Sequence, residues 1–146
     1  MIRKATGKDS KGISGLCSIE LGYPCEEKLV FGRLANLDVD RELVLVAELD
    51  NRIVGFIHAE KYEPLYCQCM INILGIAVDN SFQRRGIGRK LIEALENWAQ
   101  SCGITTIRLN SGILRTDAHV FYRKLGFNDE KEQKRFIKQL GQYLGG

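Results

Sequence analysis

Up to Leu37 the chain sets short apolar groups among Gly, Ser and charged residues. Ile13, Leu16, Cys17 and Leu21 recur at three- and four-residue spacing, which predicts a helix that Gly22-Tyr23-Pro24 ends. Leu29, Val30, Leu34 and Leu37 repeat the spacing and predict a second helix, with Gly32 as the residue least suited to its interior. From Leu43 the pattern changes. Leu43 to Ala47 is an unbroken apolar run of strand length, Asp50-Asn51 supplies a turn, and Arg52 to Tyr62 alternates as a return strand. Both faces of that return strand are largely apolar, so it is expected to lie inside a sheet. Cys69 to Val78 reads as another strand, closed by the turn formers Asp79-Asn80-Ser81.

The most amphipathic stretch is Gly86 to Cys102. Ile87, Leu91, Ile92, Leu95, Trp98, Ala99 and Cys102 share one helical face, and Gly103 suits the left-handed position after it. Thr105 to Leu109 is a short β-prone segment. A helix is expected to begin near Thr116, capped by Thr116-Asp117, to carry Ala118, Phe121, Tyr122 and Leu125, and to end at Gly126. Glu130 to Leu140 has helical composition, although Arg135 to Leu140 taken alone reads as a strand. Without a repeat, a linker or a low-complexity segment, residues 1–146 read as a single α+β domain.

Composition narrows the function classes. No apolar run approaches the roughly 20 residues needed to cross a bilayer, and Met1 to Thr6 turns polar too early for a signal peptide, so a cytoplasmic protein without membrane partners is expected. A formal charge of +3, with basic residues dispersed among acidic ones, gives no footprint for nucleic acid. Of the five cysteines only Cys67 and Cys69 are close in sequence, with no second pair or nearby histidines to complete a metal site, so reduced thiols and no metal are expected.

One cluster calls for a local explanation. Gln83-Arg84-Arg85-Gly86-Ile87-Gly88 stands between a predicted strand and the amphipathic helix, where free main-chain N–H groups and the helix dipole favour an anion. Gly86 and Gly88 let the backbone approach a ligand closely, and Arg84, Arg85 and Arg89 add positive charge. The dinucleotide fingerprint needs a third glycine where Lys90 or Leu91 stands, and the Gly-Lys-Ser/Thr of a P-loop is missing. A plain tight turn that starts a surface helix remains the alternative at this point.

Taken with its flanks, the segment resembles the GNAT superfamily of N-acetyltransferases. Ile76-Ala77-Val78, then Gln83 to Gly88, then the helix to Cys102 match its central signature. Ile2 to Ala5, Val46 to Phe56, and Ala118 to Phe127 with its Tyr-x-x-x-Gly-Phe ending match the first strands and the late helix. The resemblance implies a mixed, mostly antiparallel sheet flanked by helices and splayed after the fourth strand, and transfer of an acetyl group from acetyl-CoA to a primary amine on a small molecule or a protein. Pantetheine would pair with the backbone of Ile76 and Val78 across Ala77, and the pyrophosphate would rest on the amides of Arg84 through Arg89. It also implies Tyr122 as the general acid for the departing thiol. Arg115 departs from the family, many members of which place Asn there. Relatives commonly form homodimers, but no apolar stripe in this sequence locates such an interface.

The proton acceptor stays open among His58, Glu60, Glu48 and His119. His58 and Glu60 share a strand face, and imidazole suits chemistry near neutrality, whereas a carboxylate base needs burial or an intervening water. A donor for the developing oxyanion is expected from main-chain N–H groups around Ile76 to Val78. Glu20, Glu26, Glu27, Glu60 and Glu63 offer carboxylates to a cationic acceptor such as an aminoglycoside or a polyamine. A non-catalytic acyl-CoA-binding regulator would share the loop but show no turnover, and a plain interaction module would not respond to CoA at all.

Overall fold

The computed structural model describes residues 1–129 and 131–141. The chain divides into two compact units, Met1–Asn110 and Ser111–Gly146. In chain order the first contains β1 (Ile2–Lys4), α1 (Ser10–Glu20), α2 (Glu27–Ala35), β2 (Glu42–Leu49), β3 (Arg52–Tyr62), β4 (Met70–Val78), α3 (Ile87–Ser101) and β5 (Ile107–Leu109). Its strands form one sheet in the order β1-β2-β3-β4-β5. β1 to β4 pair antiparallel, and β5 lies parallel to β4 after the crossover that α3 supplies. The result is the mixed, mostly antiparallel α+β sheet expected from the sequence, with β3 inside it.

The β2–β3 hairpin turns through Asp50 and Asn51, both with positive φ, as a two-residue turn matched to strand twist requires. Gly32 does not break α2, which runs continuously from Glu27 to Ala35. Each face of the sheet buries a different layer. Val44, Val46, Phe56 and Ala77 pack with Ile13, Leu16 and Val30 of α1 and α2. On the other face α3 contributes buried Ile87, Leu91, Ile92, Leu95 and Ala99.

Two irregularities of the sheet bear on the site. The β3–β4 register passes from His58 opposite Gly75 to Ala59 opposite Ile73, so Leu74 is an extra residue on β4. β5 pairs only with Ile71, Ile73 and the Asn72 between them. Beyond Ile73 the β5 side of β4 therefore has no neighbouring strand among the described residues, and this is the expected splay.

The second unit contains α4 (Thr116–Lys124). Thr116 is its first residue and not its cap. Arg115 occupies the cap position without a side-chain capping bond. Glu130 lies outside the described residues. Residues 131–141 take neither of the conformations their composition allows. Phe136, Ile137 and Leu140 are 88%, 64% and 90% exposed, so the segment has no buried apolar face to offset the entropy of ordering it.

Candidate functional site

The open edge of β4 presents its main chain in an alternating phase. The Asp79 N–H donates to the Val54 carbonyl at 2.7 Å, and Val78 and Ala77 stand opposite Gly55 and Phe56. In an antiparallel ladder every second residue points its N–H and C=O at the partner strand. Asp79 and Ala77 thus face β3, while Ile76 and Val78 turn their main-chain groups toward the side that β5 leaves open. The Gln83 Nε2 donates to the Val78 carbonyl at 3.1 Å. Gln83 thereby ties the following loop to the end of β4.

That loop is held in a shape that favours anions. The Asp79 carboxylate accepts the Ser81 N–H at 2.9 Å and starts the turn through Asn80 to Phe82. Arg84 and Gly86 both adopt left-handed backbone, with φ of 66° and 79°. The first helical bond of α3 is Lys90 N–H to the Gly86 carbonyl at 3.0 Å, so the N–H groups of Ile87, Gly88 and Arg89 have no helical acceptor. Exposed Arg84, Arg85 and Arg89 surround them. A helix start with free donors, set in a ring of cations, is a place for phosphate oxygens.

Two features of this corner escaped the sequence reading. The Phe82 ring carries the Arg85 guanidinium at 5.1 Å and the Arg52 guanidinium at 5.4 Å, and Arg52 also pairs with Asp79 at 3.5 Å. Phe82 thereby limits where Arg85 can go. Gly55 lets α3 approach the sheet. A Cβ there would stand 3.2 Å from the Ala77 carbonyl oxygen and from Ile87, and 3.3 Å from Leu91.

The candidate proton acceptors differ in their partners. Glu48 is committed to Arg3 at 3.0 Å, and the His119 Nε2 donates to the Gly112 carbonyl at 2.9 Å. The His58 Nε2 lies 3.0 Å from Glu42 Oε1. An ionised carboxylate only accepts, so Nε2–H donates and Nδ1 of the neutral ring keeps its lone pair. Glu60 accepts from Asn72 Nδ2 at 3.0 Å. Glu42 and Asn72 were not singled out in the sequence. An isolated Asn inside the apolar run from Met70 to Val78 was the available signal.

Within the second unit the Tyr122 ring packs edge-on against Phe121 and Phe127, with centroids at 5.3 and 5.7 Å. Burial pushes its phenol above the ordinary range, and the nearby charge of Arg115 opposes that shift. The proton is thus retained at neutral pH, as a general acid requires. Arg115 itself is exposed. Of the carboxylates expected to attract a cation, Glu20 accepts the Asn80 N–H at 2.9 Å and Glu63 pairs with Arg41 at 2.5 Å. Glu60 engages one carboxylate oxygen with Asn72 and has a second to offer.

The chain is similar to known proteins. The family model for the acetyltransferase (GNAT) domain matches residues 40–129. The [ribosomal protein bS18]-alanine N-acetyltransferase of Salmonella typhimurium is 30% identical over 117 residues, which are 78% of this chain and 71% of that protein. The Escherichia coli K12 protein of the same name is 33% identical over 64 residues, 44% of this chain and 43% of its own length. An aminoglycoside acetyltransferase from an uncultured soil metagenomic sample superposes with a TM-score of 0.79 at 26% identity, covering 97% of this chain and 96% of its own. The aminoglycoside 6'-N-acetyltransferase of Acinetobacter baumannii gives a TM-score of 0.82 at 21% identity, over 97% of this chain and 99% of its own, and shares the fold. The open β4 edge, the cationic start of α3 and the family match over residues 40–129 agree: the chain belongs to the GNAT acetyltransferase family.

Proposed function

We propose that residues 1–146 act as one domain that moves an acetyl group from acetyl-CoA to a primary amine on a small molecule or a protein, by direct attack in a ternary complex. The observation that carries this reading is the continuity between the open edge of β4 at Ile76 to Val78 and the unpaired amides at the start of α3. An extended pantetheine arm pairs with the first, and a pyrophosphate rests on the second. Arg84, Arg85 and Arg89 neutralise its charge.

His58, oriented by Glu42, takes the proton of the acceptor amine at Nδ1. A free N–H of the β4 edge stabilises the oxyanion that forms on the thioester carbonyl. Tyr122 returns a proton to the departing thiolate, a role supported by the family's Tyr-x-x-x-Gly-Phe pattern and by a phenol kept protonated through burial. Relatives named for acetyl transfer support turnover over a non-catalytic acyl-CoA-binding role. Five free cysteines favour a reducing compartment such as the cytoplasm.

Calorimetric titration with acetyl-CoA, desulfo-CoA and NAD tests the donor site. Both CoA compounds are expected to bind and NAD to fail, and Gly86→Glu, which sets a carboxylate where the pyrophosphate belongs, is expected to abolish binding. Folded wild-type protein that ignores acetyl-CoA would overturn the reading.

A further inference from the structure

The sheet face that carries His58 is built in rows of register partners. Val46, Phe56 and Ala77 form an apolar row beneath α1 and α2. Val44, His58 and Gly75 form the next. The third row takes one residue from each of four strands: Glu42 on β2, Glu60 on β3, Asn72 on β4 and Arg108 on β5. Register partners share a face, and these four residues are only half-buried, so the row is open to solvent.

The row has a polarity. The Asn72 Nδ2 donates to Glu60 at 3.0 Å, while its Oδ1 accepts from Arg108 Nη1 at 2.7 Å. Arg108 Nη2 donates to Asn110 Oδ1 at 3.1 Å, and the guanidinium lies 4.8 Å from the centroid of the Tyr62 ring. Arg108 is therefore aimed by two amide oxygens and an aromatic face, none of which carries a formal charge. Arg3 and Arg52, the other arginines set in strands, each pair with a carboxylate, whereas no carboxylate among the described residues pairs with Arg108. A guanidinium fixed in place, with its charge unneutralised and donors to spare, is suited to a bidentate anion.

We propose that Arg108 anchors a carboxylate of the acceptor, whose amine then lies toward His58 and Glu60. The inference rests on the N-acetyltransferase reading above and names its acceptor class: a compact amino acid. Asn72 joins the two side chains at 3.0 and 2.7 Å, so the Glu60 carboxylate and the Arg108 guanidinium lie within about 8 Å of each other. A hydrogen bond of about 2.8 Å at each end leaves about 2–3 Å between the nitrogen and a carboxylate oxygen of the ligand, a span that only a compact amino acid has. Glu60 accepts from the ammonium form as it enters, and His58 takes the proton before attack.

The test uses acceptor pairs that differ only in carboxylate against carboxamide, glycine with glycinamide and β-alanine with β-alaninamide, assayed by release of the CoA thiol. Wild-type protein is expected to favour the carboxylate in kcat/KM by about tenfold or more, the worth of a charge-assisted pair. Arg108→Gln is expected to erase that preference through KM, and Arg108→Lys to restore part of it. A wild-type preference for the carboxamide, or an unchanged preference in a folded Arg108→Gln variant, overturns the proposal. So does acetyl-CoA binding without thiol release for any member of the pairs. Failure to bind acetyl-CoA at all is a different result, and it removes the transferase reading itself.

Discussion

Asp9 is the most consequential charge in the core that the sequence reading passed over. Its carboxylate accepts both Arg3 Nη1 and Nη2 at 2.8 Å and the Thr6 N–H at 2.8 Å, and its side chain is only 5% exposed. Asp9→Ala therefore leaves Arg3 without its bidentate partner, next to the turn that leads from β1 into α1. Breaking a buried pair costs about 3–5 kcal/mol. Arg3 is 30% exposed and keeps Glu48, so water and that partner recover some of the loss, and about 3 kcal/mol is expected. At about 2–4 °C per kcal/mol for a chain of this size, Tm should fall by about 6–12 °C at pH 7. The pH dependence follows from the sign of the shift. Hydrogen bonding from Arg3 holds the Asp9 pKa below its ordinary value, against the opposing effect of burial. Its contribution is therefore complete above the usual aspartate value of about 3.9 and is lost as pH falls through the lower folded value. Thermal melts of the wild type and of Asp9→Ala from pH 7 down to pH 2.5 should show the Tm gap closing below about pH 4. A gap under about 2 °C at pH 7, or one of equal size at pH 7 and at pH 2.5, would refute the reasoning.

Two further outcomes test the packing and the chemistry. Gly55→Ala forces a Cβ to within 3.2 Å of a main-chain oxygen and of the first turn of α3, so it should cost about 1–3 kcal/mol and weaken acetyl-CoA binding by displacing the loop. Gly75→Ala meets only ordinary contacts at 3.7 Å and should leave Tm and binding close to wild type; equal effects from the two substitutions would show that the approach of α3 is not limiting. Tyr122→Phe should lower kcat by about a hundredfold or more with little change in acetyl-CoA affinity. Because burial raises the Tyr122 pKa, activity that depends on its proton should persist into the ordinary phenol range near pH 10, and removing the opposing charge with Arg115→Ala should move that limb further up. A kcat profile of Tyr122→Phe that matches wild type in height and shape would exclude the role.

The strands and the main helix were legible because their patterns are strong. Arg52 to Tyr62 was bounded to the residue by a turn at one end and a proline loop at the other, and the start of α3 was marked by Gly86. Less could be read where function depends on neighbours across strands. Glu42, Asn72 and Arg108 are separated by tens of residues in sequence and meet only through register, and Phe82 gains its role from an arginine on another strand. Gln83 shows the converse limit. Its place in a family motif points to the ligand, and the bond of its Nε2 to the Val78 carbonyl could not be read from that motif. The segment from residue 131 to 141 misled because composition measures propensity, and propensity without a partner surface does not make an element.

The alternation of β3 explains why donor and acceptor chemistry can be specified by one strand. Gly55, Ile57 and Ala59 face α3, so they set how closely the anion-binding helix start lies against the sheet. Phe56, His58, Glu60 and Tyr62 face the other way, where Phe56 closes the core under α1 and α2 and the next residues form the polar rows. A shift of register by one residue would exchange the two sets and remove both sites together, so the strand is under a stronger constraint than burial alone imposes. The bulge at Leu74 lets β4 satisfy both ends of this arrangement. On one side of it Asn72 stays in line with Glu60 and Arg108, and on the other Ala77 returns to the core while Ile76 and Val78 present their main chain to the open edge. Drawing Leu74 into a regular ladder would turn one of those two groups to the wrong face, because Ala77 and Asn72 share a face only through the extra residue between them.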